Sequence, residues 1–443
     1  MTESWVRRFL ANDKRVFVLL ALLLFFPLFF HGWRFGIPYI KGGDEPHYLV
    51  ILNTLLNDGD FDVRNNYQAA RSGSFDAGRK YAGKLIDPHI AFFLNDRFYF
   101  WWDIYEDPST WVRDKDGILN PTVKPGVDPK VLEARRFPGH PVGIALILAP
   151  FLWPFRGTNY IEPAALVMSW LAVVFGAYFF RRILGRFIQD IFTVNLTTLL
   201  VFLGSPIWPY ARMFFNESFL LFFVLGAYFF ALQKNSGLLA GIMIGFGILM
   251  KPVIVVVALP FFWFWLARRD KINALLLALG CLLFTSVYLG LNLDMFGTIA
   301  SPSPFKFGNP LLGAYGLLFY WKHGLLVFSP IALYVIFYWK RFLKEGKAEA
   351  VVLLGGFALY FLVMSCWWCW WGGWCFGPRH IVPVIPLLMI ALAPALRDYP
   401  HWNTGKKRLF WTLCVLSLVF NAMGALDGYW DSHPLTLLMG NVS

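Results

Sequence analysis

The sequence predicts an all-α polytopic membrane protein, a bundle of about eleven to twelve transmembrane helices with a large first non-cytoplasmic loop. Three observations predict it. Of the 443 residues, 58% are hydrophobic and only 15% charged, whereas a soluble domain carries about 25% charged residues. The apolar residues gather in runs of roughly 17–25, the length that crosses a bilayer as helix. The formal charge of +12 sits in short basic clusters between those runs, as in cytoplasmic loops under the positive-inside rule; no nucleic-acid partner is expected.

The first span covers residues 15–33. Arg7, Arg8, Lys14 and Arg15 precede it and place the N-terminus in the cytoplasm. His31-Gly32-Trp33-Arg34 at its end offers no small-residue cleavage site, so it is expected to stay as an uncleaved span. Further spans are expected at 161–180, 191–209, 213–232, 272–292, 324–339, 350–366, 379–396 and 408–426. The stretch 236–266 is interrupted by Lys251-Pro252 and reads as two shorter crossings or broken helices, because proline cannot continue a helix. Residues 140–155 form a short apolar segment between Pro141 and Pro154.

Basic clusters at Arg181/Arg182/Arg186, Lys234, Arg268/Arg269/Lys271, Lys340/Arg341/Lys344/Lys347 and Lys406/Lys407/Arg408 are separated by even numbers of spans if 236–266 counts as two. One face then holds them all, provided that 140–155 is re-entrant or interfacial. The expected organisation is a cytoplasmic N-terminus and first helix at 1–33, an outer loop at 34–140 and a helix bundle at 141–443. The outer loop carries Asp44, Glu45, Asp58, Asp60, Asp62, Asp87, Asp103 and Asp107 with the aromatics Trp101, Trp102 and Tyr105. It is too short and irregular to suggest a large core of its own, and short helices and loops are expected there. No internal repeat or low-complexity tract is visible.

Six constellations carry possible chemistry, all on the expected outer face. In Lys41-Gly42-Gly43-Asp44-Glu45-Pro46-His47-Tyr48, adjacent carboxylates at a membrane interface are costly unless used or solvated. One suits a general base and the other a metal contact or substrate-orienting role; the plain alternative is an acidic helix cap. Phe137-Pro138-Gly139-His140-Pro141 reads as an interfacial turn and helix start. Arg212 and Glu217 lie where one span ends and the next begins, as a functional intramembrane charge or an ion pair joining two helices. Lys251 in mid-run requires a polar cavity or a short outer turn. Lys322 and His323 suit phosphate binding or snorkelling to head groups.

The sixth constellation is Cys366-Trp367-Trp368-Cys369-Trp370-Trp371-Gly372-Gly373-Trp374-Cys375-Phe376-Gly377-Pro378-Arg379-His380. Its tryptophans, Trp374 among them, exceed an ordinary interfacial belt and suit sugar rings and lipid chains. Arg379 suits an anionic phosphate. Cys366 and Cys369 lack the second ligand pair that a structural metal needs, and read as small packing residues.

Taken in order, Gly43-Asp44-Glu45, Gly139-His140-Pro141, Asn216-Glu217, Lys251-Pro252, His323-Gly324-Leu325-Leu326-Val327-Phe328-Ser329-Pro330, and Trp371-Gly372-Gly373-Trp374 with Gly377-Pro378-Arg379 resemble the GT-C superfamily of integral-membrane glycosyltransferases. That group includes the protein O-mannosyltransferases and the aminoarabinose transferases of lipid A. The resemblance covers most of the chain and implies a GT-C-like bundle in a bacterial inner membrane. It implies a polyprenyl-phosphate sugar donor, inversion at the anomeric carbon, and a glycan, lipid or protein acceptor on the outer face. Carried onto this sequence, Asp44 is the general base and Glu45 its orienting or metal-contacting partner. Arg379 and Lys322 neutralise the leaving phosphate. His47, Arg212, Glu217, Lys251, His323, Trp374 and His380 are further substrate-binding candidates. Some members use a divalent metal cation. The best-studied members continue into a soluble C-terminal domain; this chain ends soon after its last span, so acceptor recognition is expected to fall to the membrane loops.

Two other functions remain open. A transporter or flippase of a lipid-linked glycan suits broken helices and intramembrane charge, although transporters usually show repeated halves. A non-enzymatic assembly scaffold leaves the concentration of costly polar groups unexplained.

Overall fold

The computed structural model describes residues 9–36, 40, 43–66, 91–95, 97–106, 110, 112–113, 119–120, 122–300, 305–373 and 375–427. Lys41, Gly42, Asp87, Asp107 and Trp374 lie outside the described residues. The protein is an all-α polytopic membrane protein. Among the described residues seven helices are long and apolar enough to span a bilayer: Asp13–Arg34, Ile161–Leu184, Asn216–Gln233, Lys271–Phe296, Pro330–Ser365, Arg379–His401 and Thr404–Leu426. Shorter apolar helical segments are Gly143–Phe155, Ile191–Leu203, Gly237–Met250, Pro252–Ala267 and Pro310–Phe319.

The chain divides into two compact units. One comprises Met1–Pro38, Leu166–Phe284 and Lys306–Ser443; the other comprises Tyr39–Ala165 and Thr285–Phe305.

In the first unit, the Asp13–Phe35 helix starts where the Asn12 side chain accepts a hydrogen bond from the Arg15 amide at 3.1 Å. Val16, Leu20, Leu24 and Leu28 recur at helical spacing and are buried, while Val18, Leu22, Phe26, Phe29 and Trp33 are exposed. A helix apolar on both faces belongs in hydrocarbon, where its outer face needs no cover. Indole nitrogens anchor it: Trp170 Nε1 donates to Ala21 O and Trp208 Nε1 to Leu23 O, both at 3.0 Å.

Gly237, Gly241 and Gly245 repeat every fourth residue; the first two let Gly237–Met250 meet the Lys271–Phe296 helix backbone to backbone, and Gly245 faces the Phe284 side chain. A methyl group on Gly241 would fall 2.4 Å from the Leu277 carbonyl oxygen, and one on Gly280 would fall 2.7 Å from the Gly241 backbone. At Lys251 the helix stops (φ −157°, ψ 93°), and Pro252 opens a 3-10 segment through Ala258. The expected break at Lys251-Pro252 is therefore present. The expected pair of spans at 324–339 and 350–366 is present as two helices within Leu333–Ser365, separated by a non-helical backbone at Lys347 (φ 49°, ψ −133°). Asn216–Gln233 and Arg379–His401 are the most deeply buried of the seven long helices and form the centre of this unit.

The loop expected at 293–323 contains a helix, Pro310–Phe319, whose start is capped by the Asn309 side chain through the Leu311 and Leu312 amides at 3.0 and 3.2 Å. Ahead of it, Gly308 N donates to Cys366 O at 2.7 Å and Trp368 N to Lys306 O at 3.0 Å, tying this segment to the tryptophan-rich stretch.

The second unit holds the Glu45–Asn57 helix packed on Gly143–Leu152. It also holds short strands that its irregular sequence did not announce. β1 (Ala91–Leu94), β2 (Arg97–Phe100) and β5 (Arg135–Phe137) pair antiparallel in the order β2-β1-β5, and β3 (Val112–Arg113) pairs with β4 (Leu119–Asn120). Leu94 faces Arg97 across a two-residue hairpin whose first turn residue, Asn95, takes φ 51°. Asn tolerates that left-handed backbone better than most residues.

Candidate active-site residues

In the second unit, Gly43 has φ 63° and delivers the chain into the helix that begins at Glu45. Asp44 is the N-cap, and its carbonyl accepts from the His47 and Tyr48 amides, both at 3.1 Å. Its side chain makes no capping hydrogen bond. Asp44 thus holds the cap position through its backbone. Glu45 and His47 are buried, and Pro46 sits in the first turn, where its missing amide proton costs nothing. The His47 ring stacks on His140 at 5.9 Å, and Tyr48 lies 5.3 Å from the same ring. Two motifs far apart in sequence, Asp44-Glu45-Pro46-His47 and Gly139-His140-Pro141, therefore meet.

In the first unit, three sequence-predicted residues converge on the carboxylate of a fourth. Glu217 is the second residue of the Asn216–Gln233 helix, where the helix dipole favours an acid, and it is 1% exposed. Its Oε1 lies 3.1 Å from Arg379 Nε, 3.3 Å from Lys251 Nζ and 4.0 Å from His380 Nδ1. Arg379 Nη1 donates to Gly372 O at 3.2 Å, and the guanidinium carbon sits 4.3 Å from the centre of the Phe215 ring. Lys251 Nζ is 2.9 Å from His380 Nδ1 and 5.5 Å from the Trp367 ring centre. His380 Nε2 faces Cys369 O at 3.2 Å, and its ring packs on Trp367 at 4.5 Å. A carbonyl only accepts, so Nε2 carries the proton, and Nδ1 is left to accept from the Lys251 ammonium.

The remaining candidates sit elsewhere. Arg212, five residues ahead of Glu217, turns away from it and donates from Nε to Ala425 O at 2.9 Å. His323 is buried; its Nδ1 donates to Gly377 O at 3.2 Å, and its ring stacks on Tyr320 at 5.9 Å. Burial lowers the His323 pKa, the carbonyl contact opposes this, and neighbouring Lys322 adds to the lowering. Lys322 itself is exposed, with Nζ 4.8 Å from the Trp321 ring centre. Trp367 belongs to the tryptophan-rich constellation, whereas Phe215 and Tyr360, whose buried hydroxyl has no hydrogen-bond partner among the described residues, were not singled out by sequence. Phe215 could have been, because it immediately precedes Asn216-Glu217.

Among the described residues, no three His, Cys, Asp or Glu side chains group as a metal ligand set would, and the five cysteines form no disulfide.

No family model matches the chain, and no curated protein matches it. Among solved structures it is similar to ArnT from Cupriavidus metallidurans in the apo state, with a TM-score of 0.54 and 13% identity, over 93% of this chain and 64% of that one. This chain thus spans somewhat under two thirds of that structure's length. The same protein bound to undecaprenyl phosphate aligns with a TM-score of 0.49 and 14% identity, over 96% of this chain and 72% of that one. At these identities the apo likeness is one of fold, and the fold is GT-C-like, the class that the sequence motifs resemble.

Proposed function

We propose that the chain is an inverting glycosyltransferase. It moves a sugar from a polyprenyl-phosphate donor to a cell-envelope lipid, glycan or protein acceptor on the outer face of a bacterial inner membrane. The observation that carries this reading is the buried cluster of Lys251 and Arg379 on Glu217. A charge pair about 3 Å apart gains on the order of 5 kcal/mol at an effective dielectric near 20. Desolvation costs several kcal/mol for each ion. Two pairs among three ions therefore come out near balance, and stability alone gives little reason to keep them. A phosphate that loses its bond to a sugar gives the two cations such a reason, because they neutralise the charge that develops on it.

The assigned step is direct displacement. An acceptor hydroxyl oxygen forms a bond to the anomeric carbon, Asp44 takes the hydroxyl proton, and the bond from that carbon to the phosphate oxygen breaks. The electron pair leaves with the polyprenyl phosphate, whose charge Arg379 and Lys251 meet. Inversion follows because the attack comes opposite the leaving group. Glu45, buried beside Asp44, orients the base. The GT-C-like fold supports the reading.

The helix break at Lys251-Pro252 also suits a flippase of a lipid-linked glycan. Vesicles reconstituted with the full chain, a labelled polyprenyl-phosphate sugar and envelope lipid acceptors separate the two. A new glycosidic bond that depends on Asp44 supports transfer; label that moves between leaflets with no new bond overturns it.

A further inference from the structure

Glu217 was expected to touch substrate, and its surroundings argue for a different task. A carboxylate repels a phosphate, yet this one stands at the centre of the cationic cluster. Only Oε1 faces the cations; the buried Oε2 has no hydrogen-bond partner among the described residues. Each cation held by Oε1 has a second contact that fixes its direction. Arg379 is fixed by Gly372 O at 3.2 Å and the Phe215 face, and Lys251 by His380 Nδ1 at 2.9 Å. His380 is oriented in turn by Cys369 O at 3.2 Å and Trp367. Glu217 lies within the first turn of a deeply buried helix, so its carboxylate is a rigid reference point for both cations.

We infer that Glu217 is a positioning residue: through Oε1 it orients Arg379 Nε and Lys251 Nζ so that the two cations present to the phosphate of a polyprenyl monophosphate without Glu217 touching it. The inference rests on the donor reading above and deepens it. Coupling of this kind has a signature. Removing the shared carboxylate weakens recognition of the phosphate and spares recognition of the chain. Its effect also shrinks once Arg379 can no longer hold the geometry, because residues in one network do not act additively.

The test uses the purified full chain in nanodiscs, with farnesyl phosphate and uncharged farnesol as probes. The wild type binds farnesyl phosphate more tightly than farnesol. Glu217→Gln reduces that preference by about tenfold or more while farnesol affinity holds. In an Arg379→Lys background the same change has less than about twofold further effect. Glu217→Asp keeps the charge, withdraws it by one methylene and also lowers the preference; it decides the matter if Glu217→Gln fails to fold. Wild-type preference in either Glu217 variant overturns the inference, as do effects of Glu217→Gln and Arg379→Lys that multiply independently. Equal losses for both probes with a lowered melting temperature mean a merely structural role and also overturn it. A wild-type protein that binds both probes equally overturns the donor reading instead, a distinguishable result.

Discussion

Glu217 Oε1 and Arg379 Nε lie 3.1 Å apart, each residue at the start of one of the two most deeply buried long helices of its unit. Breaking such a pair leaves a buried charge without its partner. Arg379→Met is expected to cost about 3–5 kcal/mol of stability. The double variant Glu217→Gln/Arg379→Met is expected to recover none of that loss, because Lys251 then faces no carboxylate. Thermal unfolding of the detergent-purified protein measures both. A single variant as stable as wild type would show that the pair is not buried as described.

The glycine contact between Gly237–Met250 and Lys271–Phe296 makes a second prediction. Gly241→Leu forces side-chain atoms into the Leu277 carbonyl, which a methyl group alone would approach to 2.4 Å. It is expected to destabilise by at least about 1–3 kcal/mol, the usual cost of overpacking. Gly290, also in the interior of a helix, has nothing within 4 Å of an added methyl group. Gly290→Ala is expected to stabilise by up to about 1 kcal/mol through helix propensity. Melting temperatures of the two variants should move in opposite directions.

His323 gives a pH prediction. Burial lowers its folded-state pKa below the ordinary histidine value, so the unfolded chain binds the proton more readily. The stability tied to neutral His323 is complete above about pH 6.5 and is lost as pH falls from there toward the lowered folded value. His323→Gln cannot titrate, and its unfolding midpoint should show a shallower decline between about pH 6.5 and 5. Equal slopes for variant and wild type would contradict the assignment.

Much of the architecture was legible because hydrocarbon imposes a simple rule: long apolar runs become helices, and basic residues mark the ends. The break at Lys251-Pro252 followed from proline's missing amide. Pro310–Phe319 was passed over because ten residues are too few to cross a bilayer, although Asn309-Pro310 is a readable helix start. β1 and β2 were passed over because four-residue strands leave little periodicity to read. At the site, Glu217 and Lys251 stood out as charge in or beside apolar spans, Arg379 as a donor to an anion, and His380 only through the family resemblance. Their meeting at one oxygen was invisible, because residues so far apart in sequence announce no distance. Nearness in sequence misled at Arg212, which bonds to Ala425 O and not to Glu217. The pairing of His47 with His140 was hidden for the same reason as the cluster.

The two carboxylates at the start of Glu45–Asn57 are expected to separate kinetically. Loss of a general base costs about 10²–10⁴-fold in rate, so Asp44→Asn should lower the transfer rate by that factor while the protein still inserts. Glu45→Gln, which removes an orienting charge, should cost less. Rates from the reconstituted vesicles decide; a larger loss for Glu45→Gln would exchange the two roles.

The central claim is that Asp44 serves sugar transfer to an envelope acceptor, and one measurement tests it most directly. Envelope lipids and glycans of a deletion strain are compared by mass spectrometry with those of strains restored with the wild-type chain or with Asp44→Asn. The account predicts that deletion removes one sugar-sized mass increment, that the wild type restores it, and that Asp44→Asn, present in the membrane at equal amount, does not. An unchanged envelope on deletion, or full restoration by Asp44→Asn, would contradict it.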